Sequence, residues 1–394
     1  MKVGVVLNRY PVKSEPFITD FINHFSNETV YVYACFQSDL FLSRKIKYRS
    51  LLSCFPTIGL SSFQFLFFLF KFTFYFRRVT KLREKGLKWK RIIIDIPIWT
   101  TSKLDILHFP FGTNVIDREH YAEILGAKMT VSFRGSDINV YPVFHSLSYK
   151  NIWKFIDAIH CNSKELVWKL REHDVPNTIP IKIIHPCLRQ GFRNYVLDRQ
   201  MNVELGVPSR PLKIISLGRL HWVKDYAFAL RVMRLLKQRG VSFEFRILGD
   251  GPELEHLMFL SHDLGLEDLV EFSGSKTENE IARCFTKADV YLNTSYSEGM
   301  SNACIEAQAI GVPCIVPMIS GMEDCIEHGK TGLIVNNRSE KSFVDAIISL
   351  INNYNLYDPN YILNRVNEKF NIDKQRVQWH QFFDRVISDA KVRL

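Results

Sequence analysis

The sequence predicts an α/β protein built from two doubly wound, Rossmann-like domains, and three observations predict it. The chain has 394 residues, more than one ordinary core accommodates, so two domains of similar size are expected. Hydrophobic residues make up 46% and charged residues 23%, the balance of a folded protein rather than a disordered or membrane-spanning one. Short β-branched runs alternate with amphipathic stretches of helical length, the pattern of a parallel sheet covered on both faces.

In chain order, the first half offers strands at KVGVVL, TVYVYA, DILHF, KMTVSF, AIHCN and IKIIH. Between the second and third of these, residues 63–91 read FQFLFFLFKFTFYFRRVTKLREKGLKWKR. Lys71 interrupts the apolar part, which falls short of the roughly 20 residues that span a bilayer. The basic tail after it suits an anionic membrane surface; a core helix with a solvated basic turn is the alternative. The polar run RQGFRNYVLDRQMNVELGVPSRP connects the halves. Beyond it, strands are expected at LKIISLG, FEFRILG, LVEFSG, DVYLN, PCIVP and GLIV. Helices are expected near 225–239, 252–264, 277–287, 301–310 and 339–352. The first domain then covers residues 1–195 and the second 196–375, with a terminal helix at 376–394.

Charge and cysteine usage narrow the function classes. Lys and Arg number 51 against 41 Asp and Glu, a net charge of +10 that favours an anionic partner. No nucleic-acid motif appears, so nucleic acid is not the expected one. The eight cysteines show no C-x-x-C pair and no zinc-finger spacing with histidine, and read as reduced thiols. The opening MKVGVVLNRYP alternates like a first strand and lacks the sections of a signal peptide, so a cytoplasmic protein is expected.

Open parallel sheets bind ligands beyond the carboxyl ends of their strands. SEGMSNACIEAQAIGVPCIVP, residues 297–317, lies at such a place and sets Glu298 and Glu306 eight positions apart. The expected helix start suits a phosphate, and Gly299 admits a ligand to the main chain. Glu306 is placed to accept hydrogen bonds from vicinal hydroxyls such as a ribose. By spacing alone the two acids are better read as a solvated loop acid and an exposed helix position. Two cations in SLGRLHWVKD, Arg219 and Lys224, change that balance, because together they neutralise a diphosphate. LGDGPE adds Gly249 and Gly251 at a neighbouring loop. The GKT at 329–331 is no P-loop, since Asp324 stands where that motif needs glycine. A glycosidase pair of carboxylates fits less well than donor binding beside a diphosphate site.

Taken in order, Gly218-Arg219-Leu220 with Lys224, then GDGPE, EFSG, and Glu298 with seven residues before Glu306 resemble the nucleotide domain of family-four retaining glycosyltransferases. NRYPVKSEPFI near the start is similar to the PxxSETFI opening of members that assemble bacterial surface polysaccharides, with Pro16 for threonine. The resemblance implies the glycosyltransferase B (GT-B) fold, two Rossmann-like domains facing across a cleft, with the terminal helix crossing back onto the first. It implies that Arg219 and Lys224 hold the donor diphosphate, that Glu298 meets the transferred sugar, and that Glu306 holds the ribose. Gly218, Gly249, Gly251 and the backbone of Gly299, Met300, Ser301 and Asn302 complete the donor side. On the acceptor or sugar side it implies Ser14, Glu15, His108, Arg134 and Asp137. Arg134 stands where many relatives carry histidine, Ser320 where a Gly-Gly pair is common, and HPCLRQGF lacks the usual glycine and aspartate.

The activity implied by the resemblance is that of a metal-independent hexosyltransferase with no cofactor, in keeping with the absence of a D-x-D sequence. Its donor is a nucleoside diphosphate sugar and its acceptor a lipid-linked saccharide of capsule, O-antigen or exopolysaccharide assembly. It is expected in the cytoplasm, peripheral on the inner face of the membrane. A sugar-nucleotide epimerase, or a catalytically silent sugar-nucleotide-binding protein, is the alternative; the complete set of Arg219, Lys224, Glu298 and Glu306 speaks against silence.

Overall fold

The structure, a computed structural model, describes residues 1–10, 16–36, 46–50, 70, 72–146, 148–192, 195 and 204–389. Its residues fall into two compact units. The first comprises Met1–Cys161, Leu166–Ile184 and Arg376–Leu394, and the second Asn162–Glu165 and His185–Gln375.

Among the described residues the first unit holds seven parallel strands: β1 (Lys2–Tyr10), β2 (Thr29–Phe36), β3 (Ile46–Ser50), β4 (Ile106–Phe109), β5 (Lys128–Phe133), β6 (Ala158–Cys161) and β7 (Ile181–Ile183). Their order is β3-β2-β1-β4-β5-β6-β7. Alternate residues point to opposite faces, so Val3, Val5 and Ile106 enter one core while Val6, Leu107 and Phe109 enter the other. The helix Pro16–His24 and the terminal helix Ile372–Ser388 cover the first of these faces, Phe21 and Phe25 packing with Trp379 and Phe383. The second face takes Val79 and Leu82 of the helix Phe76–Glu84.

The strand β3 is not foreseen from sequence. Its residues IKYRS carry a charge at every second position, yet the strand pairs with β2 from Val30 opposite Ile46 to Ala34 opposite Ser50. It sits at the sheet edge, where charges discourage pairing with another chain. Lys47 and Arg49 lie 5.3 and 4.9 Å from the ring centre of Tyr31, so their stems cover an aromatic surface.

Among the described residues the second unit holds six parallel strands: β8 (Leu212–Leu217), β9 (Phe243–Leu248), β10 (Val270–Phe272), β11 (Val290–Leu292), β12 (Cys314–Pro317) and β13 (Gly332–Val335). Their order is β10-β9-β8-β11-β12-β13. Helices Tyr226–Gln238 and Glu340–Asn352 pack on one face, and Glu278–Phe285 and Asn302–Gln308 on the other. In both sheets the strand order reverses beside the first strand, between β1 and β4 and between β8 and β11. A crevice outside the carboxyl ends opens at such a point, which is where this class of sheet binds ligands.

Residues 185–192, assigned from sequence to the first domain, belong to the second unit. The N–H of Leu188 donates to Phe370 O at 2.8 Å, and Leu188 and Phe192 are buried in the second unit's core. An apolar side chain every fourth position in an otherwise polar connection is what ties it there.

Candidate active site

Two loops meet at the reversal between β8 and β11. After β8 come Gly218, Arg219 and Leu220, then a tight turn Trp222–Lys224 that runs into the helix Tyr226–Gln238. Asp225 stands at that helix start in a left-handed conformation, φ +46°, and its Oδ1 accepts the N–H of Phe228 at 3.1 Å. After β11, Asn293 Oδ1 accepts the N–H of Ser295 at 2.9 Å and its amide donates to Ser301 Oγ at 3.3 Å. Ser301 caps the helix Asn302–Gln308 by accepting the N–H of Cys304.

The loops are tied to each other before their functional side chains are considered. Tyr296 N–H donates to Val223 O at 2.8 Å, and Thr294 Oγ1 donates to the carbonyls of Lys224 and Asp225, each at 3.1 Å. Arg338 donates from Nη2 to Asp225 Oδ2 and to Thr294 O, both at 2.7 Å, and its guanidinium lies 3.8 Å from the ring centre of Tyr296. These ties bring Lys224 to Glu298: the Lys224 ammonium donates to Glu298 Oε1, which Ser295 Oγ also reaches at 2.9 Å. Arg219 is exposed on the same loop and bonds to no described residue.

The glycines are explained mainly by close backbone packing. Gly249 has φ +141°, and a Cβ there would fall 1.9 Å from Gly218 O; one on Gly251 would fall 2.3 Å from Leu220 O. The loop after β9 therefore nests on the loop after β8, with Gly218 N–H bonded to Leu248 O and Leu220 N–H to Asp250 O, each at 3.0 Å. Gly299 O lies 2.1 Å from where a Cβ on Gly321 would be, so the segment after β12 rests on the Glu298 loop. Next to it, Ser320 Oγ is buried with no hydrogen-bond partner among the described residues. Met300 is buried behind these loops.

Glu306 is not an exposed helix position. It is 4% exposed, and Arg189 donates to its Oε1 from Nε at 3.0 Å and from Nη2 at 2.6 Å. Burial pushes its carboxyl up to about 7, against the pull of the Arg189 guanidinium. Arg189 was not foreseen from sequence, nor was Arg338. Each is an arginine in a stretch without motif, recognised only once its partners are in place.

Three of the residues expected on the acceptor or sugar side of the first domain have structural partners in the first unit. His108 is fully buried on β4 among Phe21, Trp379 and Phe383. Its Nδ1 is 2.9 Å from Thr130 Oγ1 and its Nε2 3.2 Å from Ser132 Oγ, which in turn is 2.8 Å from His160 Nδ1. Burial and the nearby His160 and Arg134 hold the His108 ring well below its usual range, as a neutral core group. Asp137 is a loop brace, its Oδ1 accepting the N–H groups of Arg134 and Gly135 and its Oδ2 that of Gly112, at 2.9, 3.0 and 3.0 Å. Arg134 donates from Nε to Pro110 O at 3.2 Å and covers the Phe17 ring at 4.6 Å, positions that fix the loops after β4 and β5. Ser14 and Glu15 lie outside the described residues. A cavity of about 620 Å³ opens at the ends of β1 and β4, lined by Asn8, Arg9, Asp137, Tyr141, Phe144 and His145 among others, so Asp137 borders it as well as bracing the loops.

A family model described as "Glycosyl transferases group 1" matches residues 198–360. The chain is 35% identical over 279 residues to the putative colanic acid biosynthesis glycosyltransferase WcaL of Escherichia coli K12, covering 68% of this chain and 67% of that protein. To the protein of the same name from Salmonella typhimurium it is 31% identical over 220 residues, covering 54% of this chain and only about half, 52%, of the relative's length. Among solved structures, Anabaena Alr3699/HepE in complex with UDP and glucose matches with a TM-score of 0.70 over 98% of this chain and 99% of that one, at 13% identity. That likeness shows the fold, and it is the GT-B architecture expected from sequence.

Proposed function

The chain belongs to the group 1 glycosyl transferases, and we propose that it moves a hexose from a nucleoside diphosphate sugar to a lipid-linked saccharide during assembly of a bacterial surface polysaccharide, with retention of anomeric configuration. The observation that carries this reading is the meeting of Lys224 and Glu298 at the reversal between β8 and β11, with Arg219 exposed beside them and Glu306 in the second turn of the adjoining helix.

Each residue then has a task. Arg219 and Lys224 hold the diphosphate and stabilise the charge that develops on it as the bond to the anomeric carbon breaks. Glu298, with Oε1 taken by Lys224 and Ser295 and Oε2 bonded to no described residue, presents that second oxygen to hydroxyls of the transferred sugar. Glu306 receives the ribose hydroxyls. The acceptor oxygen forms its bond on the face the diphosphate leaves, and its proton passes to the departing phosphate oxygen. The acceptor saccharide docks at the cavity of the first unit. No metal takes part, so turnover is expected to survive chelation by EDTA. Screening nucleoside diphosphate sugars for thermal stabilisation, then for turnover with and without acceptor, tests the reading: a donor that binds only the native state raises the melting temperature by mass action. Epimerisation without acceptor, or binding without turnover, would replace transfer by one of the alternatives.

The same reading places the enzyme at the cytoplasmic face of a membrane. No described helix is long and apolar enough to cross one. Residues 63–69 and Lys71 lie outside the described residues, but those after them have two faces. Val79, Leu82, Leu87 and Ile92 are buried in the first unit, whereas Phe70, Phe74, Phe76 and Trp89 are 63, 72, 54 and 47% exposed. Of the basic residues, Arg78 donates to Trp99 O and Thr101 O, each at 2.7 Å, and Arg83 to Leu87 O at 2.6 Å. These two serve packing. Arg77 and Lys81 face solvent beside the exposed rings, a combination suited to an anionic interface. Arg77→Gln with Lys81→Gln is expected to weaken binding to phosphatidylglycerol vesicles about thirtyfold at low salt, at about 1 kcal/mol per basic group. Wild-type protein that ignores such vesicles would reduce this face to a solvated one.

A further inference from the structure

Arg189 lies outside every donor motif, yet it governs the carboxylate assigned above to the ribose. Its Nε and Nη2 both converge on Glu306 Oε1, at 3.0 and 2.6 Å, while Oε2 bonds to no described residue. An arginine that served only to close a core pair would gain more from the two-oxygen fork, one N–H to each oxygen. The guanidinium is prevented from turning to that geometry. Nη1 donates to Glu278 Oε2 at 3.0 Å, and Glu278 Oε1 is fixed by the N–H of Gly191 at 2.8 Å. The approach of Glu278 needs glycine there, since a Cβ at 191 would fall 2.2 Å from Oε1. Phe192 lies under the guanidinium, 5.0 Å from ring centre to Cζ.

We propose that Arg189 is the positioning residue of the nucleotide site: it holds Glu306 ionised, fixes its orientation through Oε1, and leaves Oε2 to accept the ribose hydroxyls. The proposal rests on the reading of Glu306 as the ribose acceptor. The physical need for it is plain. A carboxylate with 6% of its side chain exposed loses its charge unless a cation stands against it. A protonated carboxyl would turn an acceptor into a donor toward hydroxyls that must donate. The charged and titratable groups that act on Glu306 include Arg189 from the connecting segment, Glu278 from the helix Glu278–Phe285, and Cys304 on its own helix. Arg189 favours the ionised form; burial, Glu278 and Cys304 oppose it, which leaves the carboxyl at about 7.

The test is the pH profile of nucleotide affinity, measured by calorimetry from pH 6 to 9 with UDP, GDP, ADP and dTDP as probes. In the wild type the affinity of the nucleotide that binds should rise as pH climbs through about 7, because the ionised form accepts the ribose. Arg189→Met should move that midpoint upward and weaken binding about tenfold at pH 7, with the gap narrowing toward pH 9 as Glu306 ionises without help. Arg189→Lys, which keeps the charge, should fall between the two, and Glu306→Gln should show no such rise. Recovery at high pH separates a lost charge from a lost fold. A titration of the Glu306 carboxyl by carbon NMR, its resonance assigned by its loss in Glu306→Gln, reads the same midpoint without any nucleotide. An unchanged midpoint in Arg189→Met, or a loss of affinity equal at every pH, would overturn the proposal. A shifted NMR midpoint with no nucleotide bound by the wild type would instead overturn the ribose reading, and with it the positioning role.

Discussion

Lys224→Met is expected to lower kcat/KM for sugar transfer by about a hundredfold to a thousandfold, the effect of removing a preorganised charge from a developing anion. The site makes this a clean experiment. The loops stay tied without the ammonium, because Thr294 and Tyr296 bond to the main chain of residues 223–225 and Arg338 to Asp225. The lost ion pair is partly open to solvent, 25% on the lysine side and 13% on the glutamate side. Its contribution to stability is therefore about 1 kcal/mol or less. A large fall in turnover with a nearly unchanged melting temperature is the signature expected. A fall in turnover that tracks unfolding would make Lys224 a loop support instead.

Glu306→Gln and Glu298→Gln are expected to fail in different ways. On the proposed assignment the first removes the charge that receives the ribose, so free nucleoside diphosphate and intact donor should both bind about tenfold to a hundredfold more weakly, at roughly 1.5–3 kcal/mol for a charge-assisted hydrogen bond. The fold should survive, since an amide oxygen still accepts from Arg189. The second should leave free nucleotide affinity unchanged and lower kcat/KM, because its proposed partners are hydroxyls of the sugar whose contacts tighten toward the transition state. Calorimetry with free nucleotide and single-turnover transfer with each variant separate the two. Equal nucleotide affinity in Glu306→Gln and the wild type would remove the ribose role.

The two halves of the sequence were unequally legible. In the second unit each of the five expected helices is present to within about two residues, for instance Tyr226–Gln238 for 225–239 and Glu340–Asn352 for 339–352. Strands buried on both faces, such as CIVP of β12, are uniformly apolar and cannot be mistaken for connections. The edge strand β3 and the helices Pro16–His24, Lys164–Glu172 and Pro359–Lys369 escaped, being short, or charged where one face meets solvent. That Arg219, Lys224 and Glu298 lie in loops at the ends of β8 and β11 was legible, because the strands fix the places of those loops along the chain. What was not legible is which polar groups end up buried. His108 is expected on the acceptor or sugar side only through the resemblance, and nothing in the sequence shows that Phe21 and Trp379 close around it. Arg189 and Glu306 are 117 positions apart, and no local pattern announces their contact.

A nucleotide-sugar site at the ends of β8 and β11 is tested most directly by calorimetric titration of the wild type, Lys224→Met and Glu306→Gln with a panel of UDP-, GDP-, ADP- and dTDP-sugars. At least one donor is expected to bind the wild type at a single site, and both substitutions to weaken it, Glu306→Gln weakening the matching free diphosphate as well. Binding of no donor, or of a donor whose affinity neither substitution changes, would contradict that placement.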